Sequence, residues 1–588
     1  MAPAGAVFCD CPHGCGIGQN LHRLEQAIHS FAGHDERDRL VVALKRDGFT
    51  GPNQPRKLRL RLGNVDRAIQ RRFHKNIRSI CKLHQQGSRW CGDVIPGKLV
   101  CAAEMPLYTI TTFGCQMNVH DSERMHEVLH RAGYEPADEA SQADVVVLNT
   151  CSVREKAEQK LRSEVGRLSK LKKERRELVL VVAGCVAQQE GERLLKRMRD
   201  VDLVIGPDNI AELPALLADI AHGGLPVAKT VFDVAAPRFL QAEPDLASRA
   251  APSAFVTIMK GCDERCSFCI VPTTRGPERY RPSREILAEV ARLVRAGTRE
   301  VTLLGQTVNS YRDPDAALGR APGADPSDPD ESEFAALLRA IAEHVPELAR
   351  LRYTSPHPRH LTPSLIRAHQ DLEVLAKHVH MPVQSGSDRV LKRMIRRYSR
   401  AEYVERMDAL RAAVRGVTVS TDVIVGFPGE TEDDFQATLS LVQQIGYAGL
   451  FGFKYSPRPS TPALRLVDDV PEATKADRLR RLFEVSEVLT AQHLKRAVGS
   501  TVRVLIEGFD RSRGARWSGR SERNEIVHID AAEDLDLLGE LVDVSISRAN
   551  KHSLEGELTH AARLRSKPWS GVEKRPRKLA MVQPHGEE

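Results

Sequence analysis

No stretch of about 18 consecutive apolar residues occurs in this chain, so no membrane-spanning helix is expected. The longest apolar run, 178–187, has ten residues and includes Gly184. No basic residue precedes the short segment 2–8, which holds Pro3, and no secretory leader is expected there. Cysteine is missing from the 319 residues after Cys269. A charge surplus is missing from residues 105–588, which carry 69 basic and 69 acidic side chains. The whole net charge of +8 lies in residues 1–104, with 17 basic against 9 acidic residues. An isoelectric point near 8.8 is therefore no sign that the main body binds nucleic acid.

What is present is an ordinary globular balance, 41% apolar and 28% charged over 588 residues. That length implies three or four domains. The cysteines divide into six at 9, 11, 15, 81, 91 and 101 and six at 115, 151, 185, 262, 266 and 269. Without a leader, this clustering favours a metal or redox framework over disulfides. Segment 1–104 has few periodic stretches; 53–62 alternates only briefly. Met105 is the first methionine after Met1. One reading places the true start there; another makes 1–104 an added metal- or RNA-binding arm, in which Cys9, Cys11, His13 and Cys15 could ligate zinc. A CxC spacing with no second distant pair is a weak zinc signal.

From 106 to 222 the pattern is strand, loop and helix, repeated. Apolar strands read at 107–112, 143–150, 178–183 and 202–206, with helices at 121–133, 153–175 and 187–199. Continuous apolar strands alternating with helices predict a doubly wound parallel sheet. Ligands of such sheets gather beyond the carboxyl ends of the strands. Cys115, Cys151 and Cys185 all fall just past those ends. Three thiolates meeting there could hold a metal cluster with one position open; the competing reading is three unrelated buried cysteines.

Residues 223–254 read as a linker. Six further strand–helix units follow, with strands at 254–259, 300–304, 351–354, 378–383, 417–425 and 449–455 and helices at 283–296, 334–345, 363–377, 387–415 and 431–446. They predict a partial β/α barrel working at its strand carboxyl ends. The stretch 312–333, acidic and rich in Pro, Gly and Ala, reads as a solvated insertion. The first strand leads into Cys262-x3-Cys266-x2-Cys269. Zinc usually asks for a second cysteine pair, which is missing here. A [4Fe–4S] cube on three thiolates leaves one iron open. That iron can chelate S-adenosylmethionine (SAM), whose one-electron cleavage yields a 5′-deoxyadenosyl radical able to attack an unactivated C–H bond.

Together, TFGCQMN (112–118), NTCSVREKAEQK (149–160), AGCVAQQEG (183–191), GCDERCSFCIVPTTRGPERYRP (261–282), LLGQTVNSY (303–311), MPVQSGSDRVL (381–391) and VIVGFPGETEDDF (423–435) carry a resemblance. The chain resembles the radical-SAM methylthiotransferase family, of the MiaB type that acts on dimethylallyladenosine in tRNA. The resemblance covers about 105–560. It implies α/β architecture with an N-terminal domain (106–222), a radical SAM core (248–481) and a small TRAM-like RNA-binding β-barrel (484–560); the atypical basic extension or misassigned start (1–104) and the basic tail (561–588) fall outside it. It implies two [4Fe–4S] clusters, one on Cys262, Cys266 and Cys269 with exchangeable SAM, and an auxiliary one on Cys115, Cys151 and Cys185. It also implies SAM as both radical source and methyl donor, tRNA with an isopentenylated adenosine 37 as partner, unidentified electron and sulfur donors, a cytoplasmic location and a monomer.

Gly426, Gly429, Gln306, Asn309 and Ser385 lie in polar or glycine-bearing turns at strand ends, near where SAM is expected. For the 426–431 stretch alone, the simpler reading is an ordinary turn in which Glu430 and Thr431 favour the next helix start. Arg275 and Arg279 could meet RNA phosphates or be merely solvated. Residues 490–560 read as a small β-barrel with strands at 501–507, 524–529 and 540–547. There Lys495, Arg496, Arg503, Arg511, Arg513, Arg516, Arg520 and Arg523, with Trp517 among them, could bind RNA by phosphate contact and stacking or form a plain solvated face. Three alternatives stay open at this point. Sister enzymes act on a ribosomal-protein aspartate or on threonylcarbamoyladenosine in tRNA, and a non-catalytic iron–sulfur RNA-binding protein is a reading of a different class.

Overall fold

The computed structural model describes residues 105–152, 155–235, 237–242, 251–318, 331–510, 516–530, 535–565 and 567–568, and strand pieces within the first 100 residues. Two compact units result, Met1–Pro106 and Leu107–Glu588. In the first, Lys57–Arg61 pairs antiparallel with both Ala6–Asp10 and Ala43–Arg46. Cys11, His13 and Cys15 of the zinc reading, the core of the 312–333 insertion and most of the basic tail lie outside the described residues.

The first domain of the second unit is a parallel sheet of six strands: β1 (Leu107–Phe113), β2 (Glu135–Pro136), β3 (Val145–Thr150), β4 (Val179–Gly184), β5 (Leu203–Ile205) and β6 (Val227–Lys229). The spatial order is β6-β5-β4-β3-β1-β2. Strand order reverses between β1 and β3, which opens a crevice at their carboxyl ends. Along β3, Val145 and Val147 pack toward the helices Gln116–Arg131 (α1) and Leu213–Ala221, while Val146 and Leu148 pack toward Glu155–Glu174. Burial on both faces explains the unbroken apolar strands. β6 corrects the linker reading of 223–254: its three residues complete the sheet edge against β5. Such a short edge strand has too little sequence to stand out.

The second domain carries six strands in two parallel triplets. The first is β7 (Ser253–Thr257), β8 (Glu300–Leu304) and β9 (Arg350–Tyr353); the second is β10 (His378–His380), β11 (Thr418–Val425) and β12 (Gly449–Lys454). A parallel bridge from Leu351 to Leu375 links the triplets, which matches the expected partial barrel. The apolar core lies between the strands and the outer helices. Helix α2 here denotes Asp388–Arg393 and α3 Arg400–Ala413. They replace the single helix expected over 387–415, and six loop residues separate them.

Helix Glu472–Lys495 leads into a closed five-stranded barrel made of Thr501–Asp510, Arg516–Ser521, Ile526–Ile529, Leu541–Ala549 and Leu554–Leu558. This barrel caps the amino ends of the β/α strands. Arg350 donates to the Arg520 carbonyl at 3.0 Å, Arg352 to that of Ser521 at 2.7 Å, and Thr418 to that of Arg523 at 3.2 Å. The opposite end, where the cysteines lie, is left for chemistry.

Candidate iron–sulfur and S-adenosylmethionine site

Cys115, Cys151 and Cys185 follow three strands that are neighbours in space, β1, β3 and β4, with Cys151 in the middle. Cys115 caps α1, where Asn118 three residues on completes a capping box. Gly184 has φ +90°, and a Cβ there would lie 2.3 Å from Asn149 Oδ1, so glycine is required where β4 turns into Cys185. The buried amides of Asn118 and Asn149 tie the strand ends together at 3.1 Å, and Asn149 also donates to Ser122 at 2.9 Å. The three thiols hydrogen-bond through Cys151. That bond lowers Cys115 to about 6 and Cys185 to about 7, helped by the Arg275 guanidinium, while Cys151 is pushed well up. Beside Cys151, the buried hydroxyls of Thr150 and Ser152 have no hydrogen-bond partner among the described residues. Converging thiols with unspent O–H donors fit a sulfide-bearing cluster.

At the barrel, Cys262, Cys266 and Cys269 wind through one loop. Cys262 Sγ meets Thr307 Oγ1 at 2.9 Å, the Cys269 amide donates to the Cys266 carbonyl at 3.1 Å, and Arg396 Nη1 donates to Cys266 Sγ at 3.3 Å. Burial pushes Cys262 up to about 11 and Cys269 up to about 12. Unspent polar atoms surround this loop too: Gln306 Nε2, Glu264 Oε2 and His357 Nε2. His357 Nδ1 accepts from the Arg359 amide at 3.2 Å, which puts the ring proton on Nε2. Glu264, His357 and His360 have ligand atoms within 4.8 Å of one another. With that tautomer they form a hydrogen-bonding set rather than a cation site. Two N–H donors and a carboxylate oxygen beside three thiols fit an open-iron cluster with a polar ligand.

The other expected residues divide. Gln306 Oε1 accepts from the Gly261 amide at the entrance to the cysteine loop. Asn309 is spent on the His357 backbone, donating at 3.0 Å and accepting at 2.8 Å. Ser385 is fully buried against Thr438 and the Ser387 amide. A Cβ at Gly426 or Gly429, both at positive φ, would strike the Lys475 chain at 2.3 Å or the Arg393 guanidinium at 2.9 Å. Protein packing alone accounts for both glycines. Thr431 caps the next helix in a box with Asp434, as the simpler reading of that turn expects.

Arg275 and Arg279 are neither solvated nor set against phosphate. Both are 5% exposed. Arg275 meets Asp121 of α1 at 2.6 Å, and Arg279 pairs with Asp208, which also takes Lys260 at 3.0 Å. They join the sheet domain to the barrel. Trp517 is likewise no stacking platform, being 2% exposed in the small barrel's core against Phe509. Arg503, Arg516, Arg520 and Arg523 pair with Asp543, Asp530 and Glu555, Glu507, and Glu525.

Family models match in three blocks: Uncharacterized protein family UPF0004 over residues 107–206, the Radical SAM superfamily over 256–442 and the TRAM domain over 495–559. A tRNA-2-methylthio-N(6)-dimethylallyladenosine synthase of Sorangium cellulosum is 70% identical over 497 residues, 82% of this chain and all of that protein. The chain belongs to the tRNA-2-methylthio-N6-dimethylallyladenosine synthase family. A synthase of that name from Ralstonia nicotianae is 44% identical over 457 residues, 76% of this chain and 96% of that protein. A solved radical SAM methyltransferase from Kitasatospora setae, with cobalamin and a [4Fe–4S] cluster bound, matches at 15% identity with a TM-score of 0.42, over 61% of this chain and 73% of that one. Membership in this family makes the chain a radical SAM methylthiotransferase that uses SAM and iron–sulfur chemistry on tRNA. Among the described residues, no helix is long and apolar enough to cross a membrane.

Proposed function

We infer that the chain converts N6-dimethylallyladenosine at position 37 of tRNA into its 2-methylthio derivative, with each thiol triad holding one [4Fe–4S] cluster. The adenine C2–H has neither the acidity nor the polarity for ionic replacement at neutral pH, so one-electron chemistry is required. When bound, the cluster on Cys262, Cys266 and Cys269 supplies the electron that cleaves SAM, and the one on Cys115, Cys151 and Cys185 supplies the sulfur for the base.

The chain's own residues prepare both places. Cys115 and Cys185 are biased toward thiolate through the shared Cys151 proton and Arg275, whereas burial favours the protonated form of Cys262 and Cys269, so these two would give up their protons to hold iron. Gln306 and His357 offer N–H groups, and Glu264 an oxygen, to the polar parts of SAM. The buried Asp121–Arg275 and Asp208–Lys260–Arg279 pairs tie together the two domains that carry the thiol sets. The small barrel, anchored through Arg350 and Arg352, gives the tRNA a docking surface.

The observation that best supports this reading is the pair of thiol triads, each at the carboxyl edge of a parallel sheet, in a chain 70% identical to a synthase of this activity. The test is nucleoside mass spectrometry of tRNA treated with iron- and sulfide-reconstituted protein, dithionite and SAM. The 2-methylthio nucleoside should form on dimethylallylated tRNA and hardly at all on tRNA lacking that group. Equal reaction of both tRNAs, or reaction at a ribosomal-protein aspartate instead, would overturn the reading.

A further inference from the structure

Arg396 sits in the loop between α2 and α3 and is 5% exposed. All three guanidinium nitrogens are engaged: Nε donates to the Tyr398 hydroxyl at 3.0 Å, Nη2 to the Pro382 carbonyl at 2.9 Å and Nη1 to Cys266 Sγ at 3.3 Å. Tyr398 in turn donates to the Val383 carbonyl at 2.7 Å. The loop is pinned to the cysteine loop by Ser267, whose amide donates to the Met394 carbonyl at 2.9 Å and whose hydroxyl donates to that of Arg393 at 2.8 Å.

Two features set this arginine apart. The residues on either side, Ile395 and Arg397, have φ of +57° and +56°. A left-handed conformation is costly for a β-branched isoleucine, and such strain persists where surrounding contacts impose it at working sites. The second feature is charge. Buried Arg275, Arg279, Arg281, Arg350 and Arg478 each pair with a carboxylate. Among the described residues Arg396 has no such ion pair; its third partner is the sulfur of Cys266, a cluster ligand on the reading above. A buried cation is costly unless a counter-charge meets it, and three cluster thiolates would supply one.

We propose that Arg396 is the fixed counter-charge of the cluster on Cys262, Cys266 and Cys269, a positioning residue that raises its reduction potential. The inference rests on the reading of those cysteines as cluster ligands. Uptake of one electron from a low-potential donor, dithionite in the test, adds one negative charge at the site and neither makes nor breaks a bond to the arginine. A guanidinium in hydrogen-bonding contact with a ligand sulfur stabilises that more negative state.

The test compares reconstituted full-length wild type with R396Q, R396K and, as an exposed neighbour, R397Q. Iron content is measured with a dye-mediated EPR titration, followed at the signal that SAM perturbs. R396Q should retain iron, while its reduced-to-oxidised ratio at the wild-type midpoint falls about tenfold, which is about 59 mV for one electron. R396K and R397Q should stay close to wild type. A wild-type midpoint in iron-loaded R396Q overturns the proposal, and so does an equal shift in R396K or in R397Q. If R396Q cannot hold iron, R396K decides: a loaded cluster at the wild-type midpoint supports the charge role, and loss of iron there too overturns it. Wild-type protein that takes up no iron at these cysteines would overturn the functional reading and this inference together; iron with an unmoved potential overturns this inference alone.

Discussion

Cys151 is the residue on which the auxiliary site turns, because it shares hydrogen bonds with both Cys115 and Cys185 and follows the middle of three adjacent strands. On the proposed reading, alanine there removes one ligand, and it leaves Cys115 and Cys185 without the bond that keeps them acidic. About half the iron should be lost, since a cube on two thiolates is poorly held. SAM cleavage at the other triad should continue while methylthio product stops. Iron analysis, 5′-deoxyadenosine release and tRNA nucleosides measured on one preparation would decide this; normal product from C151A would remove the triad's assigned role. That Cys115, Cys151 and Cys185 come together was readable because a thiol's position past a strand end survives small errors in strand limits, and the short spacing of Cys262, Cys266 and Cys269 keeps them in one loop. Arg275 was not readable in this way. Its ion pair with Asp121 joins residues 154 positions apart, and no local pattern announces such a partner.

At the scale of elements, most of the parallel strands showed through as apolar runs. The failures have local causes. Between 387 and 415 there is neither glycine nor proline, so one helix seemed continuous; the break was written only in Ser399 and Glu402, the capping box that opens α3. The loop that carries Arg396 was hidden by that. His369, on helix Pro363–Asp371, bonds to the Tyr353 hydroxyl at 2.7 Å and is lowered to about 4 by burial. An unfolded histidine titrates near 6.5, so the unfolded chain takes up this proton first. The contribution is complete above about pH 6.5 and is lost as pH falls toward 4. Between pH 7.5 and 5 this one group should cost about 2 kcal/mol of stability. Urea unfolding of wild type and H369Q at the two pH values should show that much extra loss in wild type. Equal losses in both would mean that the ring is protonated in place.

The whole molecule depends on keeping its two thiol triads in register, and the carboxylate of Asp208 is central to that. It lies 4% exposed between Lys260 and Arg279, which come from the short antiparallel pair Met259–Lys260 and Arg279–Tyr280 that flanks the cysteine loop of the barrel domain. Asp121 with Arg275 makes the second tie. Removing one partner of a buried pair leaves uncompensated charge, at about 3–5 kcal/mol, and D208N would leave two cations without their anion. Each domain keeps its own core, so each should stay folded while the seam loosens. On the proposed reading, cleavage of SAM needs only the barrel, whereas delivery of sulfur to the base needs both triads beside one substrate. D208N should therefore keep most of its 5′-deoxyadenosine production and lose methylthiolated tRNA by tenfold or more, at about 1.4 kcal/mol per factor of ten. Limited proteolysis should cut between the two domains faster than in wild type. If cleavage and transfer fall by the same factor, Asp208 is only a folding residue; if neither falls, the seam does not couple the two sites.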